Sequence, residues 1–330
     1  MYKDKLMINL ANIQSPVKKE IQEFESFFKS SLSTQVPLLN HITNYILRRK
    51  GKQLRPVLVF LSARIAGEPN QSTFTAAALI ELLHTATLIH DDVVDDSYER
   101  RGFFSLYAIW KTKIAVLVGD YLLSKGLLLA IDKKEYHLLE IVSEAVKEMS
   151  EGELIQIQKS RALNITENEY FEIIRKKTAT LMIACAASGA RSVSDDEVKI
   201  TMLKKYAEHA GLAFQIKDDI FDYQKKGIIG KPIANDIKEK KLTLPLINAL
   251  SKATATEKKH ILSLIRNNNN STKRIAEVIQ FVIDKQGLDY AIEKMKYHKR
   301  MAIISLNDFP DNEAKKSLID LAEYITERSK

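Results

Sequence analysis

The sequence predicts an all-α protein, and three observations carry that reading. Apolar residues recur at helical spacing through long stretches, with no sustained alternation of the kind a strand shows. Eleven glycines and 7 prolines in 330 residues leave little punctuation for hairpins. Hydrophobic residues make up 45% and charged residues 28%, which suits a large folded core. No linker separates two compositions and no fixed repeat is visible. The expectation is one domain spanning 1–330, a bundle of about ten or more helices around a central cavity.

The predicted helices run in order. The first four lie near 17–50, 55–67, 72–97 and 104–130, with "GEPNQS" (67–72) as the loop before the third. The fourth contains the most membrane-like window, "IAVLVGDYLLSKGLLLAI". Asp120 and Lys125 interrupt it, so it is read as a buried core helix. Further helices are expected near 135–160, 168–190, 195–224 and 242–266, with shorter ones from 273. "GIIGKPIAND" (227–236) and "RNNNNST" (266–272) read as loops. Cys185, the single cysteine, lies in the apolar run "LMIACAASGA" and reads as a small core residue. It cannot form an internal disulfide, and with the polar N-terminus "MYKDKLMINL" it points to a reducing, cytoplasmic setting.

The formal charge is +8, but the lysines are dispersed, and neither an aromatic platform nor a finger motif accompanies them. A nucleic-acid partner is therefore not expected, and a polyanionic small substrate or an anionic membrane surface explains the basic excess equally well. Acidic residues, by contrast, are concentrated. "HTATLIHDDVVDDSYERRG" (84–102) gathers Asp91, Asp92, Asp95 and Asp96 before Arg100 and Arg101. Asp91 and Asp95 share a helical face, and two such charges about 6 Å apart repel by about 3 kcal/mol at an effective dielectric near 20. "FQIKDDIFDY" repeats the D-D-x-x-D spacing with Asp218, Asp219 and Asp222 among residues that want burial. Hard oxygen donors in that number suit Mg²⁺, which takes one or two carboxylates and fills its shell with phosphate oxygens. Lys52, Arg55, Arg100, Arg101, Lys177, Lys231 and Lys241 are candidates to hold further phosphate oxygens. No G-x-x-x-x-G-K-[ST] loop is present, which excludes a P-loop NTPase.

With these motifs placed, the sequence resembles the trans-isoprenyl diphosphate synthases, or polyprenyl synthetase family, from about residue 17 to 250. The helical part 251–330 is less distinctive. The elements that carry the likeness are "GKQLRP" (51–56), "ELLHTATLIHDDVVD" (81–95), "RRG" (100–102), "VGDYLLSKG" (118–126), "EGELIQ" (151–156), "KTATL" (177–181), "FQIKDDIFDY" (214–223), "GKPIAND" (230–236) and "KLTLPL" (241–246). The resemblance implies that Lys52, Arg55, His84 and Arg101 hold isopentenyl diphosphate. Arg100, Lys177, Lys231 and Lys241 would hold the allylic diphosphate. It makes Asp91, Asp95 and Asp218 the direct ligands of three Mg²⁺ ions, supported by Asp92, Asp219 and Asp222. Thr178 and Gln215 would turn oxygen dipoles toward the allylic cation. His84, seven residues before Asp91, shares the face of the first motif.

Product length rests on Ala86 and Thr87, both small, one helical turn before Asp91. Short-chain members of the family place bulky aromatic residues here, and many short-chain bacterial enzymes also have an insertion in the first motif that this chain lacks. Both features resemble long-chain members that build quinone side chains. A geranylgeranyl-type synthase and a non-catalytic partner subunit are the alternatives, while a terpene cyclase would lack the second D-D-x-x-D. The resemblance further implies a homodimer, for which 104–130 offers an apolar face, and peripheral membrane contact at product release is a further expectation. Ala234 and Lys240 stand where many members have glycine, and Ala234 is expected to restrict its loop.

Overall fold

Nearly every apolar stretch satisfies its backbone hydrogen bonds within its own helix, so the chain is all-α. A computed structural model describes residues 9–48, 51–100, 102–223, 234–267 and 271–327. The helices begin with α1 (Leu10–Gln14), α2 (Lys18–Ser31), α3 (Pro37–Leu47), α4 (Leu54–Ala66), α5 (Gln71–Val94) and α6 (Leu106–Asp132). They continue with α7 (Tyr136–Ala162), α8 (Glu167–Ile174), α9 (Thr180–Arg191), α10 (Glu197–Asp222) and α11 (Asn235–Lys238). The remainder is α12 (Leu244–Ser251), α13 (Ala255–Arg266), α14 (Thr272–Asp284), α15 (Gly287–Ile304) and α16 (Glu313–Glu327). Among the described residues the only strands are β1 (Glu99–Arg100) and β2 (Phe103–Phe104), an antiparallel pair with Glu99 opposite Phe104.

Three predicted helices are divided, and a fourth, at 104–130, is kinked inside α6 at Lys111, where φ is 67 and ψ is 172. The stretch expected at 17–50 breaks before Pro37, which takes the first turn of α3 after an extended Val36. That at 242–266 restarts at Thr254, whose side chain and Glu257 form a capping box for α13. The third, at 168–190, is interrupted by a π-helical turn, Arg175–Ala179.

The contacts of the chain gather into two compact units. The first comprises Met1–Val146, Leu181–Lys205 and Leu306–Leu321. Its α4 is buried at every position from Pro56 to Ala63 and at Ile65, as a helix apolar on all sides must be. At Gly189 on α9 a Cβ would lie 2.2 Å from the Val59 carbonyl oxygen, so glycine alone allows α9 to approach α4. α5 starts at a capping box on Asn70, packs against α4 and α6, and buries His84, Ala86 and Asp92.

α6 departs from the buried-core expectation. Ala115, Val118, Leu122, Gly126 and Ala130 are buried, but Val116, Leu117, Leu127, Leu128 and Ile131 are exposed. Only 33% of its most apolar window is buried, against 67% for α5. Composition counts apolar residues without saying which chain covers them.

The second unit comprises Lys147–Thr180, Tyr206–Ser305 and Ala322–Lys330. Its centre is α12, buried from Leu244 to Leu250, against which α8, α14 and α15 pack.

Candidate active site

The first aspartate motif closes α5. Asp91 and Asp92 lie in its last turn, and Asp95 is its C-cap, donating its N–H to the Asp91 carbonyl at 2.8 Å. Asp91 and Asp95 are exposed, and Asp92 is buried. No basic residue accompanies them in that turn, so the carboxylates sit at the negative end of the helix dipole. Each such placement costs about 0.3–1 kcal/mol. His84 is buried two turns earlier on α5. Arg55 lies in the first turn of α4, which Gln53 enters at φ 50, and Lys52 is exposed just before it. These residues all belong to the first unit. Arg100 is described by its backbone in β1, opposite Phe103. Arg101 and Lys231 lie outside the described residues.

The second motif closes α10 in the same manner, with no basic residue in the last turn. Asp218 is half-buried, and burial and hydrogen bonding separate Asp219 from Asp222. Asp219 is 4% exposed, and both of its oxygens accept from neutral donors: Tyr170 Oη at 2.6 Å and Gln215 Nε2 at 2.9 Å. Burial, then the nearby Asp236 charge, pushes its pKa well above the carboxylate range. Asp222 instead caps α11, its two oxygens accepting the Asn235 and Asp236 N–H groups, each at 2.9 Å. It thereby holds the far end of the loop that follows the motif. Burial raises Asp222, against the pull of these two amides.

Lys177 and Thr178 stand on the π-helical turn, a form that often marks a functional site. Gly152 of "EGELIQ" lets α7 reach that turn, because a Cβ there would lie 2.8 Å from Lys176 Cβ and 3.0 Å from the Lys177 nitrogen. Arg175 pairs with Glu148 through both guanidinium nitrogens at 3.1 Å, and the Thr180 hydroxyl donates to the same carboxylate at 2.8 Å. Lys177 Nζ is bonded to Gln156 at 2.7 Å and paired with Glu153. The Thr178 hydroxyl donates to Gln215 Oε1 at 2.7 Å. Lys241 pairs with Glu239. Burial alone would lower its pKa, but the Glu239, Asp236 and Glu153 charges outweigh that and raise it. Together Lys177, Thr178, Gln215, Asp219, Asp236 and Lys241 line a cavity of about 120 Å³ within the second unit.

Both departures from the family pattern take left-handed backbone, with Ala234 at φ 59 and Lys240 at φ 59. At these two positions the backbone takes a glycine-like conformation without glycine. An L-residue pays about 1–2 kcal/mol in that region, while glycine's extra unfolded freedom costs about 0.4–1 kcal/mol. Lys240→Gly should therefore stabilise the protein by about 0.5–1 kcal/mol. Ala234 is fully buried, and losing its methyl group costs a further ~0.8 kcal/mol, so Ala234→Gly should be close to neutral. Denaturant midpoints of both variants are the check, and a destabilised Lys240→Gly would refute the strain assignment.

The donor set suits a hard divalent ion. Asp236, pushed up to about 7 by burial and then by the Asp222 charge, raises Asp219 in turn. Among the described residues no group of three or more His, Cys, Asp or Glu side chains would hold an ion alone. Oxygens from a bound phosphate would complete its shell. Sequence reasoning does not single out Tyr170 or the π turn. The one available signal is a tyrosine on the apolar face that carries Ile173 and Ile174, seven residues before Lys177.

Residues 36–282 match the family model described as Polyprenyl synthetase. Over 319 residues the chain is 34% identical to the all-trans-nonaprenyl-diphosphate synthase (geranyl-diphosphate specific) of Rhodobacter capsulatus, covering 96% of this chain and 97% of that one. It is also 34% identical over 323 residues to the geranylgeranyl diphosphate synthase of Saccharolobus solfataricus, covering 93% and 94%. The crystal structure of a polyprenyl synthase from Caulobacter crescentus, complexed with calcium and isoprenyl diphosphate, matches with a TM-score of 0.88. That match has 30% identity over 97% of this chain and 98% of the other.

Proposed function

The chain belongs to the polyprenyl synthetase family, whose members are prenyltransferases, and from that premise we propose that it makes a long-chain trans-polyprenyl diphosphate for a quinone side chain. Isopentenyl diphosphate is joined head-to-tail to an allylic diphosphate, and inorganic diphosphate leaves. The observation that carries the chemistry is the placing of both D-D-x-x-D clusters at the dipole-negative ends of α5 and α10. Stability alone does not favour that arrangement, whereas a bound cation offsets it.

Asp91, Asp95 and Asp218 are the ligands we assign to Mg²⁺, with three ions per site. Bound Mg²⁺ supplies neutralisation of the allylic diphosphate and so makes it a better leaving group. Asp219 and Asp222, whose oxygens are taken up by protein donors, act as supports. Arg100, Lys177, Lys231 and Lys241 bind the allylic diphosphate, which displaces Glu153 from Lys177 and Glu239 from Lys241. Thr178 and Gln215 direct oxygen dipoles at the allylic carbon as its bond to the leaving oxygen breaks. Lys52, Arg55, His84 and Arg101 orient isopentenyl diphosphate so that its double bond attacks that carbon. The proton then lost passes to the departing diphosphate.

The long-chain assignment is supported by Ala86 and Thr87, whose small side chains leave room one turn before Asp91. A geranylgeranyl-type product is the second reading, favoured by the likeness to the Saccharolobus enzyme. The exposed apolar edge of α6 supports a homodimer. The test is to incubate the purified protein with farnesyl diphosphate, isopentenyl diphosphate and Mg²⁺. Mass spectrometry of the dephosphorylated alcohols should show products longer than geranylgeraniol, and sedimentation should give twice the 37.5 kDa chain mass. Products no longer than geranylgeraniol overturn the long-chain reading, and an active monomer overturns the dimer.

A further inference from the structure

We propose that Tyr170 is a positioning residue for prenyl transfer: its phenol locks the Asp219 carboxylate, and through it Gln215 and Thr178, into a single arrangement. The inference rests on the prenyl-transfer reading above. Tyr170 is 3% exposed on α8, and its ring packs against Phe171 with centroids 5.4 Å apart. Its Oη donates to Asp219 Oδ2 at 2.6 Å, a short bond across 49 residues of sequence.

A carboxylate with one donor can rotate about its terminal torsion, which is broad. Asp219 has a donor on each oxygen, Tyr170 on Oδ2 and Gln215 on Oδ1, so its plane is set. That in turn orients the Gln215 amide. Its nitrogen faces Asp219 and its oxygen receives the Thr178 hydroxyl at 2.7 Å. Within the second unit, α8, the π turn and the C-terminal part of α10 are thus tied through one carboxylate.

The choice of donor matters. A lysine or arginine at this position would hold Asp219 equally well but would neutralise it. Tyrosine and glutamine hold it without adding a positive charge that would compete with a metal ion in the cavity. The two neighbouring lysines are engaged elsewhere, Lys177 with Glu153 and Lys241 with Glu239.

Tyr170→Phe removes the donor and keeps the ring. The expected result is a kcat lower by about tenfold, with the KM for isopentenyl diphosphate unchanged within about twofold. Calorimetric binding of Mg²⁺ in the presence of inorganic diphosphate, which involves no turnover, should weaken by several-fold, at a Tm within about 2 °C of wild type. In an Asp219→Asn background the same substitution should add less than about twofold, because the partner is already lost. Unchanged kcat and Mg²⁺ binding overturn the proposal. So do effects that simply multiply in the double variant, or a uniform loss of activity accompanied by a large fall in Tm. If the wild type makes no prenyl product, the prenyl-transfer reading fails instead, and the calorimetry still decides the role of Tyr170.

Discussion

Asp91→Ala and Asp218→Ala should each lower kcat by about three orders of magnitude or more, while leaving the protein as stable as wild type or slightly more so. Both effects follow from where these residues sit. Each carboxylate lies near the C-terminal end of a long helix, beside others of the same charge, and the last turn of each helix holds no basic residue. Removing one relieves about 0.3–1 kcal/mol of dipole and like-charge repulsion. Removing it also deletes a proposed ligand of the ions that neutralise the leaving diphosphate, and that charge is the main barrier to ionisation. Turnover and a thermal melt of the same samples separate these effects. A variant that keeps wild-type turnover would refute the ligand assignment, and one that loses activity only by unfolding would show that the aspartates are structural.

Ala86→Phe should give markedly shorter products with magnesium dependence intact. Ala86 is fully buried on α5, five residues before Asp91, and Thr87 beside it is half-buried. A ring where a methyl group stood fills any channel that a growing chain follows along this helix. Overpacking costs about 1–3 kcal/mol, so a lower Tm is expected as well, and the product distribution is the informative readout. An active variant with an unchanged distribution would mean that the chain leaves by another path.

Much of this protein is legible in its amino-acid order alone. The helices expected at 72–97, 104–130, 135–160 and 195–224 appear as α5, α6, α7 and α10, within a few residues at each end. The signals for the breaks at Pro37 and Thr254 are present in the sequence, but they lie inside stretches whose helical periodicity continues on both sides. The aspartate motifs are legible because D-D-x-x-D places carboxylates a turn apart on any helix that contains it. Ala234 and Lys240 stand out as departures from the family pattern, yet their left-handed backbone is visible only in the fold.

The sequence by itself determined the all-α class and the two acidic helix ends, since helical periodicity and i, i+4 spacing are properties of the local backbone. Only the tertiary structure decided how the second motif divides its labour. Asp219 is turned to Tyr170, Asp222 to the amides of α11, and Lys177 is raised on a π turn that Gly152 allows α7 to approach. It also decided that α6 buries one edge and exposes the other. Local periodicity follows from backbone geometry that every short segment carries. These pairings join groups 13 to 49 residues apart, and they exist only once folding has brought buried polar groups to the partners their burial requires.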